Sequence, residues 1–308
     1  MTTLGVQDLA ALFGTTPEKV EARAGALMRT MDLSLRPIEG TERDDLVLGV
    51  LRRIDAPELK TAGGHREQDW EDGWRENLDD FVASGFDLRA LIPRYYKPNV
   101  PIRLNRRYVL PSQPDFVYRY TELFRACLLP EHLGECPSVY EFGCGTGHNL
   151  VHLDELCPGK ALHGFDWARS SQEILALLAE RKGLSIRGGH FDLFEPDASV
   201  RFDRGAGVLT FGALEQIGPR HGPYLDFLLA RKPAVCVDVV GIEELYDAAN
   251  LFDYVALAYH RRRGYLSGYL TRLRELEASG AVEIIRVHRH LFGNVFDEPY
   301  SYVVWRPR

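Results

Sequence analysis

Nine residues near the middle of the chain set its architecture: Glu141-Phe142-Gly143-Cys144-Gly145-Thr146-Gly147-His148-Asn149. A short apolar run at 138–140 precedes them and an amphipathic stretch follows, which predicts a glycine loop between a strand and a helix. Glycine at every second position lets the backbone turn sharply and approach a ligand closely. The first amides of the following helix then point at whatever is bound. We therefore expect a nucleotide-like cofactor at this loop.

The glycine spacing separates this loop from the dinucleotide fingerprint. In Gly-x-Gly-x-x-Gly the third glycine would fall at position 148, which is His148 in this chain. The Gly-x-Gly-x-Gly that is present has the spacing seen in S-adenosylmethionine enzymes. The loop therefore argues against a dinucleotide.

Two aspartates end the next two apolar runs along the chain. Asp166 closes the run 162–166, about twenty residues past the loop, where a βαβ unit presents a carboxylate to ribose hydroxyls. Asp192 closes the run 184–192 and is placed to accept a hydrogen bond from an adenine amino group. Because ligands of such sheets bind at the carboxyl ends of the strands, we expect these acids and the loop to form one site.

Each of these acids also has an ordinary structural explanation. Glu141 would cap local amides at a strand end, Asp166 would cap the helix that begins near 169, and Asp192 would stabilise a turn before Pro196. Taken singly, the structural and functional explanations are about even. Three acids at successive strand ends favour the functional one.

Residues 138 to 240 resemble the class I S-adenosylmethionine-dependent methyltransferases, and the resemblance covers the C-terminal two thirds of the chain. It implies S-adenosyl-L-methionine as cofactor. The cofactor contacts that it implies are Tyr118, Glu141, Gly143, Gly145, Gly147, Asp166, Trp167, Asp192, Leu193 and Phe211.

By this resemblance the glycine loop passes under the methionine portion and the ribose, and Glu141 orients the loop or the ammonium group of the donor. Asp166 takes the ribose hydroxyls and Trp167 lies along the adenine face. Asp192 and the amide of Leu193 read the adenine edge. The stretch 210–216 forms the floor below the methionine portion, and Tyr118 contacts the cofactor from the preceding helix.

The order of the predicted elements indicates an α/β fold. Predicted strands at 138–142, 160–166, 184–191, 205–211 and 233–240 are joined by predicted helices at 147–156, 169–182 and 221–231, which favours a parallel sheet with helices on both faces. A helix at 263–279 and two β-rich runs at 282–288 and 300–305 follow. We expect a Rossmann-like, mostly parallel seven-stranded sheet with an antiparallel last strand, preceded by a helical N-terminal domain.

We place a mainly helical N-terminal domain with a lid or connector at 1–110 and the S-adenosylmethionine-binding domain at 111–308. Thr16 as N-cap and Pro17 at the first helical position predict two short helices. They are a candidate homodimer surface, since no basic recognition helix follows to read DNA.

Trp70 and Trp74, one helical turn apart, are interpreted as a core stripe. The segment 93–108 is expected to be irregular, and either lines an anion pocket or forms a solvated connector.

Composition bounds the class of protein. The 308 residues are 45% apolar and 26% charged, no apolar stretch approaches the eighteen or so residues needed to cross a bilayer, and no secretory leader is evident. We therefore expect a cytoplasmic protein with no membrane partner. The formal net charge of −7 disfavours a nucleic-acid partner. Five cysteines without a Cys-x-x-Cys pair predict neither a disulfide framework nor a metal site.

The acceptor side of the site is less constrained by sequence. His221, His260 and Glu215 are the candidate catalytic residues, because they follow the fourth strand. The chain lacks an Asn/Asp-Pro-Pro-Tyr/Phe loop and a Pro-Cys pair at that strand, so we expect a small-molecule acceptor, such as a sugar or specialised metabolite, methylated at oxygen or nitrogen. Two alternatives stay open: an enzyme that uses the cofactor without methyl transfer, as a cyclase or an aminoalkyl-group user, and a non-catalytic cofactor-binding regulator.

Overall fold

The N-terminal region is helical, as predicted, and it also contributes four short strands. The computed structural model describes all 308 residues. In chain order this region contains β1 (Thr2–Thr3), α1 (Val6–Phe13), α2 (Pro17–Met28), β2 (Ser34–Pro37), α3 (Gly40–Asp55), α4 (Glu67–Ala83), β3 (Ile102–Leu104), β4 (Arg107–Pro111) and α5 (Phe116–Leu133). Thr16 caps α2 by accepting from the Lys19 amide, and Pro17 begins the helix, both as the sequence predicts.

The central sheet follows, with helices between its strands. Its elements are β5 (Ser138–Phe142), α6 (His148–Leu156), β6 (Ala161–Asp166), α7 (Arg169–Lys182), β7 (Ile186–His190), β8 (Gly207–Phe211), α8 (Gly222–Arg231), β9 (Val235–Val239), α9 (Leu251–Arg263), α10 (Tyr269–Ala278), β10 (Val282–His288), β11 (Phe292–Gly293) and β12 (Tyr302–Pro307). The strand order is β10-β12-β9-β8-β5-β6-β7, and β12 runs antiparallel to both of its neighbours. This arrangement is the class I methyltransferase fold and confirms the predicted fold class.

Alternation along the central strand places an apolar layer on each face of the sheet. Every residue of β5 is buried, as is typical of a strand covered by helices on both sides. Val139 belongs to one buried cluster, which also contains Leu150 and Leu175 from α6 and α7. Tyr140, pointing the opposite way, belongs to a second cluster with Leu225 from α8. The sheet is thereby held between two helical layers, and its carboxyl edge is free to form a site.

A second sheet connects the N-terminal region to the end of the chain. Its order is β1-β2-β4-β3-β11, and Phe292 in β11 pairs with Leu104 in β3. The prediction of an irregular segment at 93–108 is therefore wrong for its second half, which forms β3 and the start of β4. Their partners lie far away in sequence, so local patterns give little sign of them. Strand β4 crosses the boundary drawn at 110, and the two-domain division stays a prediction.

The helix expected at 263–279 begins later than predicted, and a helix that was not predicted precedes it. Helix α9 ends at Arg263 and Gly264 caps it in the left-handed region, with φ of 63°. Helix α10 starts only at Tyr269.

No helix is both long enough and apolar enough to cross a membrane.

Candidate functional site

The glycine loop lies where β5 ends, and two of its amides bind the neighbouring strand. The amides of Gly143 and Cys144 donate to the carbonyl of Phe165, at 2.7 and 3.1 Å. Gly143 has φ of 73°, and a Cβ added there would lie 2.3 Å from the Cβ of Ala213. A side chain at this position is therefore excluded both by the backbone conformation and by Ala213 in the segment that follows β8. The loop is packed closely against the segment that follows β8.

Asp166 joins the loop to the end of β6. One carboxylate oxygen accepts from the Gly145 amide and the other from the Ala168 amide, both at 2.9 Å. The side chain is buried, with 5% of its surface exposed, and burial raises its pKa to about 6. Each oxygen retains a lone pair for a further donor. Asp166 thus bonds the Ala168 amide just before α7 and supplies no side-chain cap to the helix itself. It also faces a cavity.

That cavity, here called the narrow cavity, is mostly apolar and lies at the carboxyl edge of the sheet. Trp70, Trp74, Gly143, Asp166, Trp167, Phe191, Leu193, Phe194, Gly212, Ala213, Gln216 and Ile217 line it. Five of these residues also line a second cavity, the wide cavity, of about 850 Å³. The two spaces therefore meet at the glycine loop.

Trp70 and Trp74 on α4 line both cavities. Their rings stack at 5.5 Å, and a Cβ added to Gly145 would lie 2.8 Å from the Trp74 indole. The interpretation as a core stripe is wrong, since both side chains are partly exposed. Arg75 on α4 forms an ion pair with Glu173 on α7, at 2.7 Å. A helix from the N-terminal region thus covers the glycine loop.

A buried polar chain runs from the end of β5 into the wide cavity. Asn149 donates to one oxygen of Glu141 and accepts from Nε of Arg125, both at 2.6 Å. Burial raises the pKa of Glu141 to about 8, and its second oxygen has no hydrogen-bond partner. Sequence reasoning missed Arg125 and Asn149. The only local signal for Arg125 was a charged residue on the apolar face of a helix.

Of the three candidate catalytic residues, Glu215 alone lines the wide cavity. Burial raises its pKa to about 8. Nε2 of His221 lies 3.1 Å from the Ser267 carbonyl oxygen, and that of His260 lies 2.9 Å from the Asp297 carboxylate. Neither histidine lines the narrow or the wide cavity.

The predicted cofactor residues are not all brought together. Gly143, Asp166, Trp167 and Leu193 line the narrow cavity, and Gly143, Gly145 and Phe211 line the wide one. Gly147 packs against Leu175 instead. Tyr118 donates to Glu122 at 2.9 Å and lines two other cavities. Asp192 accepts from the Phe194 amide at 2.8 Å, the local turn that its structural explanation predicts.

Comparison with known proteins gives a fold but no sequence family. No family model matches the chain. No curated protein matches it in sequence. Many of the similar solved structures are S-adenosylmethionine-dependent small-molecule methyltransferases.

Three solved structures illustrate the similarity. The [4+2]-cyclase SpnF has a TM-score of 0.51 at 14% identity, over 81% of this chain and 97% of that one. A geranyl diphosphate methyltransferase in complex with S-adenosylmethionine has a TM-score of 0.44 at 14% identity, over 63% and 89%. The 1,6-didemethyltoxoflavin-N1-methyltransferase of Burkholderia thailandensis, with bound S-adenosylhomocysteine, has 0.42 at 22%, over 59% and 76%. At such identities the likeness shows the fold alone.

Proposed function

We propose that this protein is an S-adenosylmethionine-dependent methyltransferase that modifies oxygen or nitrogen on a small molecule. One observation carries the proposal: the narrow cavity, with Asp166 and Trp167 on its wall, opens at the glycine loop into a cavity of about 850 Å³. The first has the lining of an adenosine site, and the second has room for a second molecule. Their junction is where a donor group and an acceptor would meet.

The residues present fit the cofactor. The Gly143 backbone lies on the wall of both cavities with no side chain between it and a ligand, and the second oxygen of Glu141 is buried without a hydrogen-bond partner. With a pKa raised by burial to about 8, the carboxyl group of Glu141 would have to lose its proton on binding in order to pair with an ammonium group. In our assignment Asp166 binds the ribose hydroxyls, Trp167 and Leu193 enclose the adenine, and Glu141 faces the donor's ammonium group. When bound, the cofactor supplies a methyl group already activated by a sulfonium.

This chain would contribute alignment more than covalent chemistry. Holding two reactants in line can supply about 7 to 11 kcal/mol of a barrier. The aromatic side chains of Trp74 and Phe211 line the wide cavity beside this junction. A base is needed only where the acceptor atom carries a proton of high pKa.

We keep Glu215 as an acceptor contact, because it is the one proposed catalytic residue that faces the wide cavity. With a pKa of about 8, raised by burial, its carboxyl group is mostly protonated at neutral pH. In that state it donates a hydrogen bond to the acceptor and cannot take up a proton.

A second candidate is an enzyme that binds the cofactor without transferring methyl. The likeness to a [4+2]-cyclase, over most of both chains, favours keeping it. Product analysis separates these cases, because a methyl transfer leaves S-adenosylhomocysteine and attack at another cofactor carbon leaves methylthioadenosine. A [4+2] cyclisation joins only substrate carbons and leaves the cofactor unchanged, so it is detected by the cyclised product. A regulator that only binds would leave the cofactor intact.

The proposal is tested by calorimetric titration of the purified protein with S-adenosylmethionine and S-adenosylhomocysteine, followed by mass spectrometry of any nucleoside that copurifies. We expect both ligands to bind with micromolar Kd values. Absence of binding to either, by a protein that unfolds cooperatively, would refute the assignment and leave only the fold.

Tryptophan fluorescence should report cofactor binding directly. Three of the four tryptophans, Trp70, Trp74 and Trp167, line the narrow cavity, whereas Trp305 is buried in the core and donates to Asp238 at 2.7 Å. We expect S-adenosylhomocysteine to change the emission, because an adenine in this cavity would contact indole rings.

The Trp167→Phe variant should lose much of that change, and Trp305→Phe should keep it. An equal response from both variants would place the ligand elsewhere.

A further inference from the structure

The hydroxyl of Tyr96 lies against a buried guanidinium group. Tyr96 lines the wide cavity, which also contains the glycine loop. Its oxygen accepts from Nη2 of Arg125 at 3.0 Å, and the Thr121 hydroxyl, which donates to the Tyr118 carbonyl at 2.7 Å, lies 3.4 Å away. A hydrogen bond from a cation stabilises the ionised form of a phenol.

Arg125 is a buried cation without an anion. Only 2% of its surface is exposed, and its three hydrogen-bond partners, Asn149, Thr121 and Tyr96, are neutral. A second buried arginine, Arg103, has a carboxylate oxygen of Glu298 at 3.5 Å. Buried charges are normally paired, because an unpaired one loses its hydration without compensation. A phenolate at Tyr96 would complete the pair.

The charged and polar groups around Tyr96 favour its ionised form. Burial raises the pKa of Tyr96, but the charge of Arg125 and hydrogen bonds from Thr121, Arg125 and Tyr300 outweigh it, so the pKa is lowered overall. The titratable and charged groups that face Tyr96 are Arg125 and Tyr118 on α5, Tyr95 next to it in sequence, and Tyr300 before β12. Glu122 is bonded to Tyr118 and Arg119 and makes no hydrogen bond to Tyr96.

We propose that Tyr96, as a phenolate paired with Arg125, is the base that takes the proton from the acceptor, and that the acceptor carries a phenol or enol hydroxyl. This inference rests on the proposed function. The acceptor O–H bond breaks, the Tyr96 O–H bond forms, and the negative charge passes to the acceptor oxygen. Tyr96 later returns the proton to solvent.

Two features favour the phenol or enol class. General-base catalysis is efficient when the base and the acceptor have comparable pKa values, and a phenolate matches a phenol or an enol. The wide cavity also presents aromatic rings for a planar acceptor, from Phe211, Tyr265, Phe296 and Tyr300. A sugar hydroxyl, with a far higher pKa, would fit this base poorly.

The test is a spectroscopic pH titration of tyrosinate in the whole protein. The chain has 14 tyrosines, and we expect the first tyrosinate signal to disappear in Tyr96→Phe. Tyr95→Phe is the matched control: it removes a hydroxyl from the adjacent residue, which is 56% exposed and lines the same cavity. Arg125→Gln should move the signal to higher pH. If Tyr96→Phe leaves the first ionisation unchanged, the proposal is overturned, whatever Arg125→Gln does.

A measurement of turnover is the second part of the test. With S-adenosylmethionine and a panel of simple phenols, we expect Tyr96→Phe to lower kcat by about 10²- to 10⁴-fold and to leave Kd for S-adenosylhomocysteine within twofold. Equal kcat in Tyr96→Phe and the wild type also overturns the proposal. If the wild type itself binds no cofactor, the proposed function fails, and the titration alone then decides whether Tyr96 ionises early.

Discussion

Replacing Gly143 with alanine is expected to abolish cofactor binding. The residue has φ of 73°, which is strained for alanine, and the added Cβ would lie 2.3 Å from the Cβ of Ala213. Both atoms sit close to the backbone, so neither can rotate away, and the loop must shift. A displacement of about 1 Å in a site of this kind can cost about 100-fold. We expect at least that loss in affinity for S-adenosylhomocysteine, measured by calorimetry.

Gly183→Ala is the control for backbone strain alone. Gly183 has a similar φ of 69°, but it ends α7 and a Cβ there would meet nothing within 4 Å. It should lose some thermal stability and keep its cofactor affinity. Equal loss of affinity in the two variants would mean that strain anywhere, and not the loop, controls binding.

Gly145→Val tests the same loop less severely. The Cβ at Gly145 would lie 2.8 Å from the ring of Trp74, a side chain on a partly exposed helix face that can move. Valine should still obstruct the loop. We expect its effect on affinity to be smaller than that of Gly143→Ala.

Asp166→Ala should weaken S-adenosylmethionine binding by about 1 to 3 kcal/mol, the usual value of a hydrogen bond to a charged group. The carboxylate also accepts from the Gly145 amide, so its removal loosens the loop as well as the ribose contact. Titration calorimetry measures the loss. Asp192→Ala is a matched control from the next strand end, since Asp192 bonds only its own turn. Unchanged affinity in Asp166→Ala, with the fold intact, would remove this residue from the site.

The same residue gives a pH dependence. Burial raises the pKa of Asp166 to about 6 from 3.8, so the folded chain binds this proton more tightly than the unfolded chain does. Its contribution to stability is therefore greatest below pH 3.8 and is lost as the pH rises through about 6. Cofactor affinity should change in the opposite sense, because the ionised carboxylate binds ribose hydroxyls better. Asp166→Asn should remove the rise in affinity between pH 5 and 7.

Much of the fold could be read locally. The glycine loop, the aspartate at the end of β6 and the alternation of strands and helices are patterns within short windows, governed by backbone conformation and by the side-chain period of each element. They were enough for the sheet, its antiparallel last strand and the position of Asp166. They could not show β3 pairing with β11, because those partners are separated by most of the chain.

The contents of the site were decided by tertiary structure. Position after the fourth strand recommended His221, His260 and Glu215 equally, and only the packing turned Glu215 toward the wide cavity. Trp74 reaches the loop from an N-terminal helix, and Arg125 meets Tyr96 from a different element. Sequence by itself determined the sheet and its cofactor edge, because backbone geometry is local. Which side chains share one buried space depends on contacts between distant segments, and only the folded chain brings those together.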